Sequence, residues 1–576
     1  MSIARAREVA SPTTGSARTR TLTVIAQDPG VRSRGRIVTT RLRVPAEVLA
    51  PGPWGYRVHV IDYDSSKDAL HPRAAIDEAT DAFEGAPDGT LLGDPRFHAQ
   101  NVYAIAMATL ARFEFALGRR VGWAFSSHQL KIAPHAFADA NAFYSREAEA
   151  LLFGYFAGEK GEVHTALSHD VVAHETTHAL LDGLRERYTD PSSPDQAAFH
   201  EGFADVVALL SVFAQPSVVG AVLDPDAEAP DEVVRVSALT AERLKRTVLF
   251  GLAEQMGEEL QLARGSALRS SLDIVPSPDL LASAEFQEPH RRGEILVAAM
   301  LSAFLEVWVR RLQRLGEVRS GQVDRALAVE QGADAAERLL TMAIRAIDYA
   351  PPVDLQFGDY LSALLTADVE LRPDDSRYGY REALRRSFAA FGIEPASPTR
   401  GAEPGVWQKS PADLRYDRSH FESMQRDPGE VFRFMWENRT ALGIEPDAYS
   451  KVISVRPVLR IDPDDGFALH ETVAEYVQIL DTRGSELADF GIARPEGMPD
   501  EQRVLLYGGG ILLFDEYGRL KYHVYNHLLR KRRQSERLAY LWRSGAFRAG
   551  ASIARRIAAL HRRRALDMAG DVSEEW

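Results

Sequence analysis

The spacing of apolar and polar positions changes several times along the chain, and each change predicts an element. Thr21–Ala26, Arg36–Val44 and Tyr56–Tyr63 alternate or run apolar with β-branched residues, as strands do. Over Phe97–Leu117 the apolar positions Val102, Ile105, Ala106, Leu110 and Phe113 follow the helical period, and Gly118 is placed to end that helix. Val121–Phe125, Gln129–Ile132, Ala142–Tyr144 and Ala150–Phe156 predict further strands, with a turn at Gly158–Gly161. One buried helix is expected from near Ser168 and a second over Phe199–Leu210, joined by the polar, proline-bearing loop Tyr188–Asp195. From Val206 to about Phe391 helical spacing prevails, with loops at Leu223–Asp231 and Asp273–Phe286.

The Pro/Gly-rich stretch Glu394–Gly405 breaks this pattern. Beyond it Val452–Ile461, Ala474–Leu480 and Val504–Phe514 are strand-like, and Asp515–Gly518 predicts a hairpin turn into Leu520–Tyr525. Gly508-Gly509-Gly510 interrupts the third of these strands. It lacks the Lys-Ser/Thr of a phosphate loop, which leaves a bulge or a tight backbone contact. A chain of 576 residues is too long for one core. The expected class is α+β: a β-rich extension (1–65, its first 20 residues disordered), an α/β lobe (66–215), a helical lobe (216–393), a linker (394–412) and an α+β domain with a basic helical tail (413–576).

The first buried helix carries His174-Glu175-Thr176-Thr177-His178. Histidines at i and i+4 share a helix face, where one zinc ion can accept both imidazoles, and Glu175 stays close enough to act on a metal-bound water. On the second helix Glu201 and Asp205 also stand at i and i+4. Glu201 supplies the third ligand that a hydrolytic zinc site requires, and Asp205 is placed to accept the spare ring N–H of a ligand histidine. His200 faces another way and reads as structural.

H-E-x-x-H followed by E-x-x-x-D resembles the thermolysin-like zinc peptidases, and the resemblance covers roughly residues 70–310. Asn141-Ala142-Phe143-Tyr144 is similar to the edge strand on which that family lays its substrate, and Asp170–Glu175 matches the start of its zinc helix. The resemblance implies a two-lobed peptidase, with a mixed-sheet lobe and a helical lobe closing the cleft. It implies substrate-binding roles for Asn141 and Ala142, and an oxyanion donor at His290 within Glu288-Pro289-His290-Arg291-Arg292-Gly293. Tyr188 is a second donor, and either Arg291 or Arg292 steadies the substrate carbonyl. Asp182 matches a structural position. The family's calcium site has only Asp170 here, because Ser211–Val219 carries no carboxylate; Asp224, Asp226 and Glu228 would have to fold back to complete it.

The function expected is therefore zinc-dependent endopeptidase hydrolysis of a peptide or protein substrate, with Glu175 activating the water. Two alternatives stay open: an aminopeptidase on the same scaffold, and a zinc scaffold whose cleft is blocked, leaving a binding module. The absence of cysteine confines any metal to histidine and carboxylate, and a formal charge of −14 argues against general nucleic-acid binding. Arg519–Ala565 holds fourteen Lys/Arg and one acid, Glu536; a solvated or packed basic helix pair is expected before binding to nucleic acid or anionic lipid. Met1–Thr23 has no apolar signal core, and Val206–Leu223 is broken at Gln215-Pro216, so neither a leader nor a membrane span is expected and the cytoplasm is favoured.

Overall fold

The computed structural model describes residues 19–547, apart from 31, 34, 78, 159–160, 191, 224–231, 246–270, 272, 398–402, 411–412, 462–465 and 467. The protein is mixed α+β. Strands β1 (Thr19–Ile25) and β2 (Thr39–Pro45) pair antiparallel, with Thr19 opposite Pro45. Leu22, Val24, Leu42 and Val44 of this pair are buried and join the main core. After β3 (Val58–Val60) comes the long helix α1 (Pro95–Leu117), whose N-cap Asp94 accepts from the Arg96 amide. Gly118 ends it in the left-handed region at φ 61°.

The central sheet then forms from β4 (Leu130–Ala138), β5 (Ala142–Ser145), β6 (Ala150–Gly158) and β7 (Gly161–His164). Its order is β7-β6-β4-β3, parallel between β6, β4 and β3, with β5 antiparallel on β6. Val121–Phe125 is not a strand. Its backbone is claimed by side chains instead: Arg57 donates to the Val121 carbonyl at 2.5 Å, and Glu114 accepts from the Val121 amide at 3.2 Å.

Helices α2 (His169–Leu184) and α3 (Pro194–Phe213) follow, with Ser193 capping α3 through Gln196 N–H at 3.1 Å. The helical part continues as α4 (Pro289–Leu312), α5 (Arg325–Arg345), α6 (Phe357–Leu371) and α7 (Tyr380–Ala390). One short strand pair, Val233–Arg235 with Gln322–Asp324, interrupts it where only helices and loops were expected. No single described helix is long and apolar enough to cross a membrane. Pro194–Phe213 with Pro216–Leu223 passes such a test only as a pair bent by 79°, and it is largely buried in the core.

The last sheet is an antiparallel meander of β8 (Tyr449–Ile461), β9 (Ala468–Arg483), β10 (Arg503–Phe514) and β11 (Leu520–Asn526). Period-two alternation assigns its faces: Val473, Ile511 and Leu513 belong to the main core, whereas Ala474, Leu512 and Phe514 pack with Val431, Phe434 and Met435 of the short helix Pro428–Glu437. Gly508–Gly510 does not interrupt β10, since all three residues pair in register with Gln478, Val477 and Tyr476. All three glycines answer to tight contacts: a Cβ on Gly508 would lie 2.7 Å from Leu528 Cα, one on Gly509 2.6 Å from the Tyr476 carbonyl oxygen, and one on Gly510 2.7 Å from Tyr525 Cβ.

Buried ion pairs tie this sheet to the helices. Glu471 of β9 meets Arg345, Glu475 meets Arg185 at 3.0 Å, and Arg119 and Arg345 converge on Asp348. In the basic stretch helix α8 (Lys531–Arg543) packs back on the chain, with Arg533 on Asp359 at 2.8 Å and Arg537 on the Leu505 carbonyl at 2.9 Å. Residues 548–565 of that stretch, and 1–18, lie outside the described residues.

Candidate metal centre

His174 and His178 leave α2 on one face, and α3 brings Glu201 against them. Glu201 Oε2 lies 3.6 Å from His174 Nε2, and Oε1 lies 3.5 Å from His178 Nε2. All three groups are buried and are able to hold a metal ion. In a tetrahedral zinc site with bonds of about 2.0–2.1 Å, ligand atoms stand about 3.3–3.4 Å apart. The observed edges fall close to that value, so the donor set fits zinc in type and in spacing.

Each histidine is oriented from behind. Asp205 Oδ1 lies 2.7 Å from His174 Nδ1, which leaves Nε2 facing the site. His200 Nδ1 lies 2.7 Å from His178 Nδ1, with the rings stacked at 4.7 Å, so His200 backs His178 on the side away from Glu201. The sequence expectation that His200 is merely structural missed this contact; its adjacency to Glu201 was the available signal. Burial holds the His178 imidazole below the ordinary histidine value, and Glu201 opposes that shift.

Glu175 is fully buried, and its Oε2 accepts from the Tyr144 amide of β5 at 2.8 Å. The strand expected to bind substrate therefore runs beside the carboxylate expected to act as base. Ala142 at its start is buried, and the preceding Asn141 is buried with its side-chain oxygen on the Ala142 amide at 2.8 Å. Tyr144 donates through its hydroxyl to Asp182 at 3.0 Å.

From α4, His290 Nε2 reaches within 3.9 Å of Glu201 Oε2, while Nδ1 lies 2.8 Å from Glu288 Oε1. Although burial opposes it, the His290 contact holds the Glu288 carboxyl down at about 2. Glu288 also caps α4 through Arg291 N–H at 2.8 Å. It was not foreseen as a site residue, and its place two residues before His290 was the signal.

The crossing of α3 and α4 makes this convergence possible. Gly202 and Gly293 meet backbone to backbone, and a Cβ on Gly202 would lie 2.9 Å from the Gly293 carbonyl oxygen. Only glycines allow the helix carrying Glu201 to approach the helix carrying His290 so closely.

Tyr188 is not brought to the site. Its ring packs on Phe199 at 5.5 Å in the main core, and its hydroxyl donates to the Pro351 carbonyl at 2.8 Å. Arg292 is taken up by Asp195 at 2.6 Å and by two carbonyls, and Arg291 by Glu285 and Glu294. Asp170 accepts from Ser168 Oγ at 2.5 Å and from the Val171 amide at 2.9 Å. Burial pushes the nearby Asp28 up to about 7, against a hydrogen bond from Gly30, and Asp170 adds to the rise. Asp224, Asp226 and Glu228 lie outside the described residues. No protein-family model matches the sequence, and no curated protein matches it.

Proposed function

We propose that the protein is a zinc metalloendopeptidase with the two-lobed arrangement of the thermolysin-like enzymes. One observation carries the reading: two imidazoles and a carboxylate converge at 3.5–3.6 Å with a second carboxylate, Glu175, buried beside them. Zinc bound there would supply a Lewis acid that lowers the pKa of water and polarises a carbonyl. A site of purely structural character has no need of the second carboxylate.

The chain's own groups then divide the work. A peptide adding to the outer edge of β5 is held in extended form by backbone pairing. Glu175, fixed in orientation by the Tyr144 amide, takes a proton from the attacking water and returns it to the leaving nitrogen. His290, oriented by the Glu288 carboxylate at Nδ1, turns its Nε2 edge toward the oxyanion as it develops. Asp205 holds the His174 ring in the tautomer that turns Nε2 to the site, and His200 backs the His178 ring at Nδ1.

The test is zinc content together with cleavage of an unfolded protein substrate, with and without 1,10-phenanthroline. Wild-type protein should bind zinc and cleave, and the chelator should stop cleavage. Glu175→Gln should retain zinc and lose cleavage, whereas His178→Ala should lose both. Near-normal turnover by Glu175→Gln, or no cleavage by zinc-loaded wild type, would show the reading to be wrong.

A further inference from the structure

A second group of histidines lies apart from the first, between α1, β4, the end of β7 and the segment after β3. His98 Nδ1 stands 2.8 Å from His135 Nε2. The outer nitrogen of each ring is already committed to an acceptor: His98 Nε2 faces the Leu92 carbonyl oxygen at 3.0 Å, and His135 Nδ1 faces both oxygens of Asp62 at 2.9 Å. A carbonyl only accepts, and an ionised carboxylate only accepts. Each outer nitrogen therefore carries its ring's proton, and the two inner nitrogens meet lone pair to lone pair. Such a contact is resolved by a metal ion held between them or by a second proton on one ring.

A third imidazole, His164, completes the set. Its ring lies 4.7 Å from His98 and 5.0 Å from His135 between centroids, and its buried Nδ1 has no hydrogen-bond partner. Ligand atoms of His98, His135 and His164 lie within 4.8 Å of one another, and His98 and His135 are almost wholly buried. His71 lies tilted against His135, with ring centroids 4.5 Å apart. Two buried carboxylates, Asp62 and Asp64, flank the cluster, and the exposed Lys67 lies 3.6 Å from Asp64.

We propose that His98, His135 and His164 form a second metal site, for a first-row divalent cation that takes imidazole ligands, with Asp62 orienting His135 from behind. Neighbouring ligand nitrogens stand about 3.0 Å apart in an octahedral site and about 3.4 Å in a tetrahedral one with bonds near 2.1 Å. The 2.8 Å gap lies nearer the first, and the rings need to open only slightly. The three ligands come from α1, β4 and β7, and His164 leads within five residues into α2. The ion would tie the central sheet to the start of the helix that bears the first site.

The test is zinc stoichiometry of the full chain, measured by elemental analysis after stripping and dialysis against micromolar zinc. Wild type should hold two equivalents, and His178→Ala and His164→Gln one each. The half-buried His164 is the gentler replacement, and His135→Gln should repeat its result. Zinc should raise the melting temperature of His178→Ala but not of His178→Ala/His164→Gln. One equivalent in wild type that survives His164→Gln and vanishes in His178→Ala overturns this second site and leaves the proposed peptidase centre standing. One equivalent with the opposite behaviour supports the second site and removes the first.

Discussion

Gly202→Ala tests the helix crossing that brings Glu201 to His290. The added Cβ would lie 2.9 Å from the Gly293 carbonyl oxygen and 3.1 Å from its Cα, where ordinary contact begins at 3.4 Å. Both atoms are backbone, so no side chain is able to swing aside, and α4 must retreat by about 0.3–0.5 Å or tilt. Overpacking of this kind costs about 1–3 kcal/mol, against a gain of about 0.5–1 kcal/mol for replacing glycine in a helix interior. A net loss of about 0–2.5 kcal/mol is expected, which a large core tolerates.

The effect on catalysis should be larger than the effect on folding. Catalytic groups must hold position within about 0.5 Å, and misplacement by about 1 Å costs about a hundredfold, so a shift of half that size should lower kcat on the order of tenfold. Zinc content should not change, because His174, His178 and Glu201 belong to the α2–α3 contact and not to the crossing with α4. Gly220→Ala is the control: its Cβ would meet only Val329 Cγ2, at 3.8 Å, so it should leave kcat unchanged and raise stability slightly. The assay is kcat on an unfolded protein substrate, with zinc content and urea midpoint measured on the same samples. An unchanged kcat and midpoint in Gly202→Ala would falsify the close crossing as the device that sets the site. Loss of zinc would instead mean that α3 had moved from α2.

Three further outcomes follow from the same geometry. His290→Ala should lower kcat by about 10²–10³ with KM and zinc content nearly unchanged, and a fall in zinc content would make His290 a ligand. Tyr188→Phe should keep full activity and lose about 1 kcal/mol of stability in urea titration, since its hydroxyl serves the Pro351 carbonyl; a large kcat loss would contradict its placement. Although burial opposes it, Arg119, Arg345 and Arg185 hold the Asp348 carboxyl down at about 2, below its usual 3.8. The unfolded chain therefore binds that proton more readily, so the contribution is complete above about pH 4 and lost as pH falls toward 2, on the order of 2 kcal/mol. Urea midpoints at pH 4 and pH 2.5 should fall less in Asp348→Asn than in wild type, and equal slopes would refute the assignment.

The features legible in the sequence are those in which one element carries the whole signal. The i, i+4 histidines of α2 and the alternation of β10 are properties of a single stretch, fixed by the pitch of a helix or the pleat of a strand. Gly118 was legible for the same reason, because a helix end that needs a positive φ names its residue. Val121–Phe125 misled because β propensity carries no information about which groups claim the backbone, and Arg57 and Glu114 claim it from elsewhere. Gly508–Gly510 misled in the opposite sense: three glycines weaken a strand locally, yet Leu528, the Tyr476 carbonyl and Tyr525 leave no room for side chains there.

The candidate metal centre divides along the same line. His174, His178 and Glu175 sit on one helix and Glu201 with Asp205 on another, so each half was visible in its own segment, and only the meeting of the halves needed the fold. The groups that went unread act across elements: His200 behind His178, Gly202 against Gly293, and above all His98 with His135, 37 residues apart on a helix and a strand. A histidine on an otherwise apolar helix face gives no sign of whether its neighbour in space is another histidine. The tautomer conflict between His98 and His135 arises only once Leu92 and Asp62 have each fixed a proton on the far side of its ring. A motif search is blind to such a site because its chemistry lies in the hydrogen bonds around the ligands and not in their spacing along the chain.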